Sequence, residues 1–292
     1  MRIDLHTHSN RSDGTDDPAA LVRAAAGAGL DVVALTDHDT TAGWVEAAEA
    51  LADLPGGLRL VRGAELSCVS PNGLGGTVAI HLLAYLFDPD HPRVLAEQGR
   101  LRVERRERIT RMVSRMAADG YRLDPETFLD RFDDDLPIGR PHLAQALVEE
   151  GVVGSVSEAF SSVLHNSSAY YLRRTDTPVV EAIEMITDAG GVCVFAHPFA
   201  RKRGRVVEPS VLVDLAEVGL AGVEVDHPDH APEDRAALRT LAGEIGLVAT
   251  GSSDYHGNNK GIRLGAETTD PDMFERLVER AGSMSNAVPV LG

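Results

Sequence analysis

The sequence predicts an α/β protein built as a distorted, seven-stranded β/α barrel with an inserted helical lobe. Short continuous apolar runs alternate with helical segments, the pattern of strands buried on both faces of a parallel sheet. Ligand-type side chains lie on or just after these runs: His6, His8, Asp13, His38, Glu65, His81, His197, Asp254 and His256. An open sheet gathers its ligands at one switch point. Here nearly every strand contributes, which calls for a closed ring whose C-terminal strand ends share one face.

The strands are predicted in order at 2–7, 31–36, 58–65, 77–85, 191–196, 222–226 and 247–251. The first ends near His6, the second before His38, and the third at Glu65. The fourth contains His81, the fifth precedes His197, the sixth precedes His227 and His230, and the seventh precedes Asp254 and His256. Helix starts are marked by proline at the first helical position, where its missing N–H costs nothing. Pro18, Pro92, Pro125, Pro141, Pro178, Pro209, Pro232 and Pro271 fit this rule, and Asp17, Asp124 and Asp270 before them suit N-caps.

Between the fourth and fifth strands the rhythm breaks. Residues 92–173 hold helical patterns and no strand, so they form the inserted, substrate-binding lobe, and 1–91 with 174–292 form the barrel. In a helix over about 93–118, Leu101, Ile109, Met112, Val113 and Met116 form a core stripe. Arg102, Arg105, Arg106, Arg108, Arg111 and Arg115 are expected on a solvated face with Glu97, Glu104 and Glu107.

Composition narrows the function. Twenty-eight Lys and Arg oppose 45 Asp and Glu, for a formal charge of −17. Such a body argues against broad duplex-DNA binding, which needs many phosphate contacts. It permits a small anionic substrate held by local arginines and metal. Cys68 and Cys193 have no disulfide or zinc spacing, so both are expected as buried apolar residues. No signal peptide or membrane-length apolar run is evident, so a cytoplasmic protein without a membrane partner is expected.

His6 and His8 are two apart, so on a strand they face one side and can chelate one ion. Asp254 and His256 repeat that spacing. Asp13 lies in a turn, where a purely local role is common. Asp37 or Asp39 is expected to orient the His38 imidazole. Glu65 has two oxygens and could bridge two cations, or form a salt bridge at the barrel rim. His81, in mid-strand, is either a ligand or a hydrogen-bonded core histidine.

The motifs HTHS-SDG, TDHD, GAE, HLLAY, AHP and SDYHG, in this order, resemble those of the PHP (polymerase and histidinol phosphatase) superfamily of metal-dependent phosphoesterases. GRPHLAQAL, at 139–147, resembles the helical insert of a branch containing nucleoside-3′,5′-bisphosphate phosphatases and 5′-to-3′ exoribonucleases. The resemblance implies a distorted seven-stranded barrel with two or three divalent ions, manganese first, with iron and zinc as other candidates. One ion would take His6, His8, Glu65 and Asp254, a second Glu65, His81 and His197, and a third Asp13, His38 and His256. Asp254, His256 and His197 would act in catalysis through or beside these ions. Arg140 and His142 are expected substrate contacts, because arginine suits bidentate phosphate recognition. Arg201, Lys202, His227, Ser253 and Lys260 are further candidates, and Arg203 and Arg205 are expected on a solvated loop.

The expected activity is hydrolysis of a phosphomonoester by metal-activated water. The substrate would be a small nucleotide, a 3′,5′-bisphosphonucleoside yielding a nucleoside 5′-monophosphate, or the 5′ end of a short RNA. Histidinol phosphate hydrolysis is an alternative on the same barrel. Amide or ester hydrolysis is another, although no carboxylated lysine is evident. A non-catalytic, metal-stabilised nucleotide-binding module is the alternative from a different class.

Overall fold

Eight strands form one sheet in the computed structural model, which describes residues 1–283 and 286–292. They are β1 (Ile3–Asp4), β2 (Val32–Leu35), β3 (Arg59–Pro71), β4 (Thr77–Tyr85), β5 (Thr177–Pro178), β6 (Val192–Phe195), β7 (Gly222–Asp226) and β8 (Val248–Gly251). The order is β1-β2-β3-β4-β6-β7-β8, with β5 attached to β3. Beyond β1 and β8, Thr7 bridges Tyr255, and the His8 N–H donates to the Tyr255 carbonyl at 2.8 Å. The seven-strand path is thereby curled into a nearly closed barrel.

The expected parallel sheet needs correction at β4, which runs antiparallel to both β3 and β6. β3 also continues past Glu65 to Pro71 instead of ending there. The cause is a hairpin. Asn72 Oδ1 accepts the N–H groups of Leu74 at 2.8 Å and Gly76 at 3.0 Å, closing a turn that only antiparallel strands can share. Thr177 and Pro178, expected at a helix start, instead pair with Cys68 and Val69 of β3.

Helices α1 (Pro18–Gly27), α2 (Trp44–Ala52), α3 (Pro92–Ala118), α4 (Pro125–Leu129), α5 (Arg140–Glu149), α6 (Val156–Ser161), α7 (Val179–Asp188), α8 (Pro209–Glu217), α9 (Pro232–Ile245) and α10 (Pro271–Gly282) accompany the strands. Their starts follow the capping chemistry. Asp17, Asp124 and Asp270 accept backbone N–H groups of Ala20, Thr127 and Asp272 at 2.6, 2.9 and 2.9 Å.

Met1–Leu95 with Asp176–Gly292 form one compact unit, and Ala96–Thr175 form the other. In the first, alternation along the strands sorts two apolar clusters. Val33, Leu35 and Leu60 join residues of α1, α2, α7, α8 and α9. Val32, Ala34, Val61, Leu83 and Tyr85 join Ile3, Leu5, Val194, Val248 and α10. Counting by twos from Val61 and Leu83 puts Glu65 and His81 on that second face. In the other unit, Ile109, Met112, Val113 and Met116 pack with Phe128, Ile138, Leu143 and Leu147. The arginine face of α3 departs from the solvated expectation at two positions: Arg105 and Arg108 are only 5% and 3% exposed, while Arg111 and Arg115 are exposed. No helix among the described residues is long and apolar enough to cross a membrane.

Candidate metal centre

Glu65 is the hub. Its Oε2 lies 3.1 Å from His6 Nε2, 3.1 Å from His8 Nε2 and 3.2 Å from His38 Nδ1. Its Oε1 lies 2.7 Å from His81 Nδ1 and 3.1 Å from His197 Nε2. β3 supplies the carboxylate from mid-strand, and the reversed β4 brings His81 beside it, where Ser67 is its register partner.

Asp13 organises a second cluster. Its Oδ1 lies 3.2 Å from His256 Nε2 and 3.7 Å from His8 Nδ1, and its Oδ2 lies 3.6 Å from His38 Nε2. The turn that returns this carboxylate is tight. A Cβ on Gly14 would stand 2.3 Å from the His8 carbonyl oxygen, so only glycine fits there. Asp254 closes the centre with Oδ1 3.6 Å from His6 Nε2, 3.5 Å from His8 Nε2 and 3.4 Å from His256 Nδ1.

The structure therefore brings together all nine residues singled out as ligands. Three groups have ligand atoms within 4.8 Å of one another: His8, Asp13, His38 and His256; His6, His8 and Asp254; and His38, Glu65 and His81. These groupings cut across the sets the family resemblance implies, because His8 and His38 each serve two of them.

The donor set fits divalent cations. The facing nitrogens of His6, His8, His38 and His81 are buried and make no hydrogen bond, although each stands close to Glu65. Converging imidazole nitrogens and carboxylate oxygens without hydrogen-bond geometry are what N/O-coordinated metals require. Charge agrees. Burial would raise the Glu65 pKa, but His81, His6 and His38 hold it well below the usual carboxylate range. Burial would lower that of His8, yet nearby Asp254, Glu65 and Asp13 raise it to about 9. Burial and the neighbouring Arg203 press His197 down to about 3, so its imidazole is neutral. Two of these residues sit on strained backbone, His197 at φ 32° and Asp254 at φ 54°.

The basic residues at the centre are not all those expected. Arg203, expected on a solvated loop, directs Nη2 to Asp254 Oδ2 at 2.6 Å and Nε to Asp229 at 2.6 Å. Lys260 Nζ donates to the same Asp254 oxygen at 2.7 Å. Arg201 instead pairs with Asp234 at 3.1 Å with its side chain 59% exposed, and Lys202 is exposed. The 3-10 turn at Arg201–Arg203 separates them by sending consecutive side chains in different directions.

His227 is fully buried. Its Nδ1 accepts the Asp229 N–H at 3.0 Å, which leaves the proton on Nε2, 3.4 Å from Asp254 Oδ2. His230 donates from Nδ1 to the Val225 carbonyl and accepts the Phe199 N–H at Nε2, a purely structural pairing. Ser253 is fully buried, with its N–H on Asp4 Oδ1 at 3.0 Å. His142 Nδ1 accepts the Gly139 N–H at 3.0 Å and so caps the start of α5. Arg140 donates to the Leu164 carbonyl at 3.0 Å and Asn166 Oδ1 at 2.8 Å, with its guanidinium 5.3 Å from the Phe160 ring and 5.1 Å from Tyr171.

Four buried carboxylates beside the centre lie outside the expected set or take a role other than the expected one. Glu224 of β7 accepts from His6 Nδ1 at 3.2 Å and from the His197 N–H at 2.8 Å, and Ser252 Oγ also donates to it. Burial would raise its pKa, but His227 and His6 hold it well below the usual range. The signal was the alternation in GVEVD: Val223 and Val225 belong to the outer cluster, so Glu224 faces the other way. Asp37, expected against His38, takes the N–H and Oγ of Ser9 at 2.8 and 2.6 Å and Ser12 Oγ at 2.7 Å. Asp39 takes the N–H and Oγ of Ser67 at 2.6 and 2.8 Å. Asp4 accepts from Ser253 and, at 2.8 Å, from the Gly265 N–H.

A barrel that turns this many carboxylates and imidazoles onto one point is a metal-dependent hydrolase in class. The PHP-domain profile matches residues 4–133. The chain belongs to the PHP family. It is 32% identical over 92% of its length to the 3′,5′-nucleoside bisphosphate phosphatase of Chromobacterium violaceum, covering 92% of that protein. It is 32% identical over 88% of its length to the phosphoribosyl 1,2-cyclic phosphate 1,2-diphosphodiesterase of Eggerthella lenta, covering 95% of that protein. A 5′-3′ exoribonuclease of Haemophilus influenzae is 30% identical over 90% of the chain and 93% of its own length. A crystal structure from Bifidobacterium adolescentis, assigned to the metal-dependent phosphoesterases, superposes with a TM-score of 0.89 at 36% identity, covering 95% of this chain and 96% of that one. The protein is thus a metal-dependent phosphoesterase, an enzyme that hydrolyses phosphoric esters.

Proposed function

We propose that this enzyme removes one phosphate from a small nucleotide, converting a 3′,5′-bisphosphonucleoside to a nucleoside 5′-monophosphate, with the 5′ end of short RNA as the longer variant of the same substrate. The observation that carries the reading is the set of nine ligand-type residues that includes Glu65 as its hub, with Arg203 and Lys260 directed at Asp254 beside it. The substrates named for the Chromobacterium and Haemophilus relatives support the nucleotide class.

The nine residues would hold two or three divalent ions, with manganese the first candidate. Bound divalent ions lower the pKa of water toward neutrality and neutralise charge on a phosphoryl group. The chain supplies the rest. Arg203 and Lys260 are in place to receive phosphoryl oxygens, because both reach the centre on flexible stems. Hydrolysis joins a water oxygen to phosphorus, breaks the ester P–O bond and returns a proton to the leaving oxygen. That proton is the one the attacking water gives up, and His227, whose Nδ1 accepts the Asp229 N–H, is proposed to hold Asp254 in place through its Nε2–H. Neutral His197 is retained as a ligand in this reading. Arg140 is proposed to take a second phosphate. Its pKa is lowered by burial, it has aromatic faces beside it, and the Leu164 and Asn166 oxygens it donates to are neutral, so an anion would gain a charge-assisted bond.

The test is release of phosphate, or of nucleoside 5′-monophosphate from RNA, by manganese-loaded protein given 3′-phosphoadenosine 5′-phosphate, AMP, histidinol phosphate, phosphoribosyl 1,2-cyclic phosphate or a short 5′-phosphorylated RNA. Preference for the bisphosphate is expected. Preference for histidinol phosphate or the cyclic phosphate would overturn the nucleotide reading, and no turnover of any of them would favour a binding module. Arg140→Ala is expected to raise KM about 10- to 100-fold, the worth of a lost charge-assisted contact, with metal content unchanged. Steady-state kinetics with elemental analysis checks this, and an unaltered KM would remove Arg140 from substrate binding.

A further inference from the structure

Glu224 is a carboxylate at the centre whose nearest partners are the far sides of the ligand groups. It lies on β7 with no exposed surface. Oε1 meets His6 Nδ1 at 3.2 Å, on the opposite edge of the ring from Nε2, which faces Glu65 and Asp254. Oε2 accepts the His197 N–H at 2.8 Å, at the residue whose backbone is forced to φ 32°. Ser252 Oγ, just beyond β8, completes the shell. One side chain therefore ties residues following β1, β6 and β8 to β7.

We infer that Glu224 is a positioning residue that fixes His6 in the Nδ1–H tautomer, aiming the Nε2 lone pair at the metal, and pins the strained His197 turn in the same act. The inference rests on the proposed role of His6 as a metal ligand. The chemistry is specific. A neutral imidazole carries its proton on one nitrogen only, and the hydrogen bond made there decides which nitrogen remains free to ligate. A carboxylate accepts at both oxygens, so it can serve His6 and His197 together. A glutamine of the same length has one acceptor and one NH2 group. It must turn an N–H toward either the His6 donor or the His197 donor.

Metal-free wild type, Glu224→Gln, His6→Ala and the double variant are titrated with Mn(II), the free ion being read from its EPR signal. Glu224→Gln is expected to weaken binding at one site by about 10- to 100-fold, the usual cost of losing such a support. In the His6→Ala background it is expected to cost much less, because the ring it orients has gone. Thermal melting of the metal-free proteins separates a general packing role, which would lower stability equally in both backgrounds. Wild-type affinity in Glu224→Gln, or full additivity with His6→Ala, overturns the inference.

A second measurement needs no variant. In wild-type protein labelled with 15N-histidine and loaded with Zn(II), His6 is expected to show a protonated Nδ1 and a ligating Nε2. The reverse pattern sinks the proposal even if Glu224→Gln does not fold. No phosphate substrate enters either experiment, so a wrong substrate assignment leaves both results standing. If His6→Ala itself binds manganese like wild type, the ligand assignment and this inference fall together.

Discussion

Glu65→Gln is expected to leave the barrel folded, to lower the bound metal by at least one ion, and to reduce kcat/KM by about 10³-fold or more. No other side chain at the centre faces as many imidazoles. Its two oxygens stand within 3.2 Å of nitrogens from His6, His8, His38, His81 and His197. A carboxamide keeps the volume but loses the charge and one acceptor, and turns an NH2 toward ring nitrogens whose lone pairs would otherwise face the metal. Lewis-acid stabilisation of a phosphoryl group is worth several kcal/mol, and about 4 kcal/mol corresponds to about 10³-fold in rate. Elemental analysis against protein concentration checks the metal, and steady-state phosphate release checks the rate. A full metal complement in Glu65→Gln would contradict a shared carboxylate.

The convergence of these side chains was legible because metal chemistry restricts residue types and strand geometry restricts spacing. His6 and His8, two apart, do converge on Glu65, and Asp254 and His256 meet directly, Oδ1 to Nδ1, at 3.4 Å. Strand direction was not legible. The apolar run 77–85 reads the same whichever way it enters the sheet, and only the turn at Asn72–Gly76 makes β4 antiparallel. That reversal explains how a mid-strand His81 reaches the same Glu65 as residues that follow other strands. Loop side chains were harder still. Arg201, Lys202 and Arg203 are chemically equivalent in FARKRGR, and a short 3-10 turn decides that Arg203 faces Asp254.

Partner choice among buried carboxylates was the other gap. TDHD offered Asp37 and Asp39 as neighbours of His38, but these residues follow β2 in a turn, with Asp39 at φ 52°, so adjacency in sequence does not fix which partner each carboxylate meets. Both acids instead anchor serines one strand away, Asp37 holding Ser9 and Ser12, and Asp39 holding Ser67. Glu224 was missed for the converse reason. Its strand carries no histidine, so it drew no notice, although a glutamate between two valines on an inward-facing position must find donors to be tolerated there. Ser253, expected at substrate, is buried behind the centre, where its N–H and Asp4 hold the chain that presents Asp254.

That chain segment makes Asp254→Asn the sharpest single test of charge at the centre. Asp254 sits at φ 54°, a left-handed conformation that asparagine adopts about as readily as aspartate, so the backbone strain is unchanged by the substitution. What changes is the carboxylate. Burial would raise its pKa, yet Lys260, Arg203, His256 and His6 hold it well below the usual range, so the wild-type residue is ionised. Its Oδ1 faces His6, His8 and His256, while Oδ2 receives Arg203 and Lys260. Asparagine satisfies one side and presents N–H groups to the other. Arg203 and Lys260 retain 33% and 30% side-chain exposure, so water can solvate them and the fold is expected to survive. Circular dichroism checks that survival. The expected cost is the ion held with His6 and His8, together with about 10³-fold in kcat. Retention of more than about a tenth of wild-type kcat, with the metal content intact, would place Asp254 outside the catalytic centre.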